Sequence, residues 1–168
     1  MNAWYKQLVN TIKTRFKSHK NQIDKWDNRF LVMAQLVSTW SKDPSTKCGA
    51  VIVRPDKSVC SVGFNGFPQQ MSDDDSLYLD RYEKYSRVIH SEMNAIQFAQ
   101  DSSLRGYTTY CYPFLPCDRC CVHLMQKGIV RIVAPTATPD LVSRWKDSIE
   151  RVRSYNSSSF RVEEVEWM

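Results

Sequence analysis

The chain has 168 residues, 42% of them hydrophobic and 24% charged, with a net charge of +5. That length suits one domain with a sizeable core, and the balance is that of a globular chain rather than a disordered one. No apolar run is long enough to span a bilayer and no secretion signal opens the chain, so the six cysteines read as reduced thiols and the cytoplasm is the expected compartment.

The charge is uneven. Residues 1–25 carry six basic residues against the single acid Asp24, and the rest of the chain balances at 17 basic and 17 acidic. In this segment Trp4, Leu8, Ile12 and Phe16 recur at steps of four with lysines between them. The spacing predicts a basic amphipathic helix that extends a catalytic core at 26–168, within one domain spanning 1–168. A single basic helix on a neutral body is a weak footprint for nucleic acid, so packing is the preferred reading and neither nucleic acid nor a membrane is expected as a partner.

From Trp26 to Trp40 an apolar stripe of Phe30, Met33, Ala34, Leu36, Val37 and Trp40 predicts a helix that ends at Ser41-Lys42-Asp43-Pro44, since the residue before proline avoids helical geometry. Cys48–Val53 and Val59–Phe64 read as two strands joined around Pro55-Asp56-Lys57, and Gly63-Phe64-Asn65-Gly66-Phe67-Pro68 as a tight loop leaving the second. Residues 72–87, rich in Asp and Tyr, are expected to be irregular, and a loop that long inside a domain usually has a function. The pattern then predicts a helix from His90 to Gln100, a strand from Tyr107 to Tyr112, a helix from Cys117 to Lys127 and a strand from Ile129 to Ala134. Pro139 opens a further helix with Leu141, Val142, Trp145, Ile149 and Val152 on one face, and Phe160–Val165 is the last strand. This order implies an α/β fold with one mixed sheet and helices on both faces.

Two clusters carry chemistry: His90-Ser91-Glu92-Met93-Asn94-Ala95-Ile96 and Leu115-Pro116-Cys117-Asp118-Arg119-Cys120-Cys121. Cysteines three apart at a helix start share a face and can grip one ion, and a helix N-terminus favours thiolate. Taken alone, the pair could also be redox-active or simply buried. A ligand set of Cys117, Cys120 and His123 is disfavoured, because His123 lies about 9 Å along the axis from Cys117.

H-x-E followed by P-C-x-x-C resembles the signature of the zinc nucleobase deaminases. With Ser41-Lys42-Asp43-Pro44, Cys48-Gly49-Ala50, the Gly63–Pro68 loop and Ser72-Asp73-Asp74 in order, residues 26–165 closely resemble the deoxycytidylate (dCMP) deaminases of the cytidine/deoxycytidylate deaminase superfamily. The resemblance implies a three-layer α/β/α cytidine-deaminase-like fold with about five strands. It also implies one catalytic Zn²⁺ held by His90, Cys117 and Cys120, with a fourth position open to water, and Glu92 as the acid/base. The implied reaction converts dCMP and water to dUMP and ammonia, supplying thymidylate synthesis. Asn65 and Asn94 then contact the nucleotide, Lys42 neighbours its 5′-phosphate, and Ser91 and Pro116 complete the substrate-binding residues. Asn65 can equally be a turn residue and Lys42 a helix-end charge.

Ser91 stands where the family usually has alanine, and no cluster suggests a second zinc. Family members are often homo-oligomers, commonly hexamers, with dCTP and dTTP as effectors; 135–154 looks unlike the regulated type, which leaves regulation open. Other readings are a tRNA adenosine deaminase, a deaminase of CMP, dCTP or the free nucleoside, and a non-catalytic zinc-stabilised interaction module.

Overall fold

A computed structural model describes residues 23–167, so most of the predicted N-terminal helix lies outside the described residues. Helix α1 (Lys25–Ser38) is capped by Asp24, whose carboxylate accepts from Trp26 N at 2.9 Å. Strands β1 (Gly49–Val53) and β2 (Val59–Phe64) form an antiparallel pair. Helices α2 (Asp75–Leu79), α3 (Arg81–Arg87) and α4 (Ser91–Phe98) follow. The rest alternates as β3 (Thr108–Tyr112), α5 (Asp118–Gln126), β4 (Arg131–Pro135), α6 (Pro139–Ser154) and β5 (Arg161–Val165).

The five strands make one mixed sheet in the order β2-β1-β3-β4-β5. β1 runs antiparallel to both neighbours, whereas β3, β4 and β5 are parallel and joined by the α5 and α6 crossovers. Side chains alternate across the sheet and separate two cores. Val51, Val53, Tyr110 and Val133 pack with Phe30, Leu31 and Ala34 of α1. Ala50, Ile52, Cys111, Ile132 and Ala134 pack with Ala95 and Ile96 of α4, Cys121 and Leu124 of α5, and Ile149 and Val152 of α6. All five residues of β1 are buried, as expected for a strand covered on both faces. The expected three-layer α/β/α architecture is the observed one.

Three local expectations need correction. Leu36 and Trp40 are 59% and 53% exposed, while Leu31 is fully buried, so the inward stripe of α1 is narrower and rotated. Residues 72–87 are not irregular throughout: Asp74 caps α2 by accepting from Ser76 N, and Asp80 caps α3 by accepting from Glu83 N. Asp80-Arg81-Tyr82-Glu83 has the spacing of a capping box, a helix start obscured by the lack of apolar period around it. Trp145, expected on the core face of α6, is 36% exposed.

One ion pair ties the α1 layer to the sheet. Asp27 accepts both terminal nitrogens of Arg131 at 2.8 and 2.7 Å and the Tyr110 hydroxyl at 2.7 Å, and Arg131 also pairs with Glu163. Burial pushes the Asp27 carboxyl up, but the Arg131 and Tyr110 bonds outweigh it and hold the group below its ordinary value. Stability from this group is therefore fully present above the unfolded carboxylate range and is lost as pH falls through the depressed folded value. Asp27→Ala leaves Arg131 short of a partner inside the protein and is expected to cost about 3 kcal/mol. Urea unfolding checks this, and the gap to the parent protein should close under acid conditions.

Candidate active site

The site is built where two helices begin. The first turn of α4 lies so close to β2 that a Cβ on Gly63 would stand 2.3 Å from Ser91 O and 2.4 Å from Ala95 N. Only glycine permits that approach. Two side chains fix it: Ser61 Oγ donates to Ala95 O at 2.7 Å, and Asn94 Nδ2 donates to Phe64 O at 2.7 Å. His90 is the N-cap of α4, yet its side chain makes no capping bond. The imidazole is thus available to the neighbouring helix.

That helix is α5, which starts beyond the carboxyl end of β3, where the sheet changes from antiparallel to parallel pairing. Open α/β sheets commonly bind ligands outside the carboxyl ends of their strands. Cys117 caps α5 and its sulfur accepts from Cys120 N at 3.4 Å. His90 Nδ1 lies 3.5 Å from Cys117 Sγ and 3.4 Å from Cys120 Sγ. One donor atom from each of His90, Cys117 and Cys120 falls within 4.8 Å of the others, the only such group of three among the described residues. His123 lies on the exposed side of α5, so the rival ligand set is not assembled.

Contact among the three groups shifts the titration of each. The Cys120 thiol, backed by the Cys120 N–H and His90, pulls Cys117 well below an ordinary thiol. The Cys117 sulfur in turn, with burial, pushes Cys120 up. Cys117 also holds His90 above the usual imidazole value. Two sulfurs and one nitrogen are a zinc donor set, and three protein ligands are the number a catalytic zinc takes.

Glu92, in the first turn of α4, is 6% exposed. Burial drives its carboxyl above the ordinary carboxylate range, while the charge of His90 pulls the other way. It lines a cavity of about 770 Å³, its open mouth included, together with His90, Cys117 and Pro116.

Residues 24–136 match the family described as "Cytidine and deoxycytidylate deaminase zinc-binding region". The chain belongs to this deaminase family. A deaminase of Aliivibrio fischeri, described as uncharacterized, is 45% identical over 76% of this chain and 84% of its own length. A probable deoxycytidylate deaminase of Caenorhabditis elegans is 37% identical over 79% of this chain, which spans only 64% of that relative. The crystal structure of dCMP deaminase from the cyanophage S-TIM5 in complex with dCMP and dUMP superimposes with a TM-score of 0.69 at 23% identity, over 86% of this chain and 100% of that one. It has the same fold.

In this deaminase the cavity gathers Asn65, Ser91 and Pro116 beside the zinc-type donors and Glu92. It does not gather Lys42 or Asn94. Lys42 is half-exposed and paired with Asp73 at 2.9 Å, and the Asn94 amide staples α4 to β2. Asn65 lines the cavity, but its amide is tied to the wall: Nδ2 donates to Asp43 Oδ2 and Thr46 O, and Oδ1 accepts from Cys48 N. Phe67 and Tyr78 stack on each other at 4.2 Å. The sequence did not point to Lys84, Arg144 or Trp145, which also line the cavity. Lys84 lies in the segment read as irregular, and its only signal was the capping pattern ahead of it.

Gly63→Ala should force the start of α4 off β2, at a cost on the order of 2–3 kcal/mol. The expected result is a lower unfolding midpoint together with lost zinc on metal analysis, because His90 moves with the helix.

Proposed function

We propose that this deaminase is a zinc-dependent dCMP deaminase, converting dCMP and water to dUMP and ammonia. The observation that carries the reading is Glu92, a buried acid two residues from His90, opening into the same cavity as the His90–Cys117–Cys120 donors. An interaction module needs the donors but has no use for an acid there. The relatives described as deoxycytidylate deaminases, at 37% identity in the nematode and 34% in the mouse, support the choice of substrate.

When bound, a zinc ion supplies Lewis-acid activation of water at near-neutral pH. Glu92 would take a proton from the attacking water, pass it to N3 of the cytosine ring, and later assist departure of the C4 amino group as ammonia. The nearly complete burial of Glu92 keeps bulk water from competing for that proton. Ser91 has a fully buried hydroxyl with no partner within the protein and lines the cavity, so it offers a hydrogen bond to the polar edge of the base. Pro116 lines the same cavity, and Asn65 holds its wall in register.

Among the described residues no helix is long and apolar enough to cross a membrane. A cytoplasmic setting and assembly into a homo-oligomer belong to the same reading, and dCTP or dTTP regulation stays open within it.

Glu92→Gln keeps the three donors and removes the titrating group. Its zinc content should be unchanged, while its rate of ammonia release from dCMP falls at least ~100-fold. A panel of dCMP, CMP, dCTP, deoxycytidine and tRNA tests the substrate: turnover of another member with none of dCMP reassigns it, and full activity in Glu92→Gln removes the proposed acid/base.

A further inference from the structure

Helix α6 breaks where its sequence gives no reason to. Its only proline is Pro139, at the start, and no glycine interrupts it. Yet Trp145 has φ −125° and ψ 22°, outside helical geometry. Kinks without proline or glycine need another cause, and departures from local rules concentrate at functional positions.

The break lies between two anchored halves. On one side Leu141 and Val142 pack against the core, and on the other Ile149 and Val152 are buried in it. Ser148 links the second half to the cysteine helix: Asp118 N donates to Ser148 Oγ at 3.0 Å, and Ser148 Oγ donates to Asp118 Oδ1 at 3.1 Å. In an unbroken helix Trp145 would share the face of Ile149, four residues on. The break turns it out of the core, and both Trp145 and Arg144 line the cavity that holds Glu92.

Charge along that wall points to what Arg144 is for. Lys84 and Asp43 are buried and satisfied by each other at 2.7 Å, so they contribute little net field. His90 and Cys117 belong to the donor group, and Glu92 is an acid. Arg144 is the cation on the cavity lining that is not held inside the wall. Its described ion pair, with Asp140 at 3.4 Å, joins side chains 45% and 75% exposed on one helix, an arrangement worth little and easily exchanged. A phosphate monoester brings close to two negative charges at neutral pH, and a guanidinium fork matches its oxygens in bidentate fashion.

We propose that the Arg144–Trp145 step of α6 is the specificity lip of this site: Arg144 reads the 5′-phosphate of a nucleoside monophosphate and Trp145 covers the nucleoside. The assignment rests on the dCMP reading and adds to it a residue pair outside the zinc motif.

The test compares the zinc-loaded parent protein with Arg144→Gln and Arg144→Lys, using dCMP and deoxycytidine as substrates. Arg144→Gln should lower kcat/KM for dCMP about 30-fold, mainly through KM, the size expected for a lost charge-assisted bidentate contact. Its kcat/KM for deoxycytidine should change less than about twofold, and Arg144→Lys should recover part of the loss on dCMP. An equal loss on both substrates, or no loss on dCMP, overturns the assignment. Matching unfolding midpoints confirm that the variants fold. A parent protein that leaves dCMP unconverted overturns the parent reading and this inference with it. An active parent with an unselective Arg144→Gln overturns this inference alone.

Discussion

Everything at the site depends on two helix N-termini being held against each other. Main-chain contact at Gly63 sets one of them, bringing Ser91 O and Ala95 N to distances no side chain allows. The turn that leaves β3 sets the other, with Cys117 as cap and Cys120 one turn on. Positive helix ends stabilise thiolates and anions, and the two ends bring the His90 Nδ1 to 3.5 Å from Cys117 Sγ and 3.4 Å from Cys120 Sγ. His90, Cys117 and Cys120 would together hold a divalent cation. The donor group, the acid and the close packing of α4 are therefore one constraint, and disturbing any of them disturbs the others.

The remaining wall is organised around a second polar centre. The Asp43 carboxylate accepts from Ser45 N at 2.7 Å, Thr46 N at 3.2 Å, Lys84 Nζ at 2.7 Å and Asn65 Nδ2 at 3.2 Å. It joins the turn after α1, the end of β2 and helix α3, which lie far apart in the chain. A buried ion pair is weak support for stability, because desolvation offsets the attraction. What it provides here is shape: with every partner engaged, the wall has one arrangement. This explains why Asn65 and Asp43 lie at the cavity while their polar atoms point into the protein.

The zinc-type donors, the neighbouring acid and the order of helices and strands were legible because each is a short-range pattern. His90 and Glu92 are two apart, Cys117 and Cys120 three apart, and β2 was read with its observed bounds, Val59–Phe64. What sequence did not yield depends on tertiary contact. The resemblance made Lys42 the neighbour of the 5′-phosphate, yet it pairs with Asp73, 31 residues on, and is not among the residues that line the cavity. Lys84 fell in the segment expected to be irregular, yet it is buried against Asp43. Leu36 and Trp40 were assigned inward on an apolar count, whereas the close approach of α1 to Gly49 at Ala34 and Ser38 sets which face turns in. Trp145 was misplaced for a related reason: a periodic pattern assumes a continuous helix, and α6 is not continuous.

That last error separates chemistry from selectivity within the fold. The donors and the acid come from α4 and α5, fixed to the sheet by main-chain packing and a fully buried core. Arg144 and Trp145 come from α6, whose polar ties to the cysteine helix among the described residues run through Asp118, by way of Ser148 and a looser 3.7 Å pair with Arg151. A substitution on the outer turns of α6 can alter the mouth of the cavity without moving a donor atom, because Ile149 and Val152 hold the helix regardless of what precedes them.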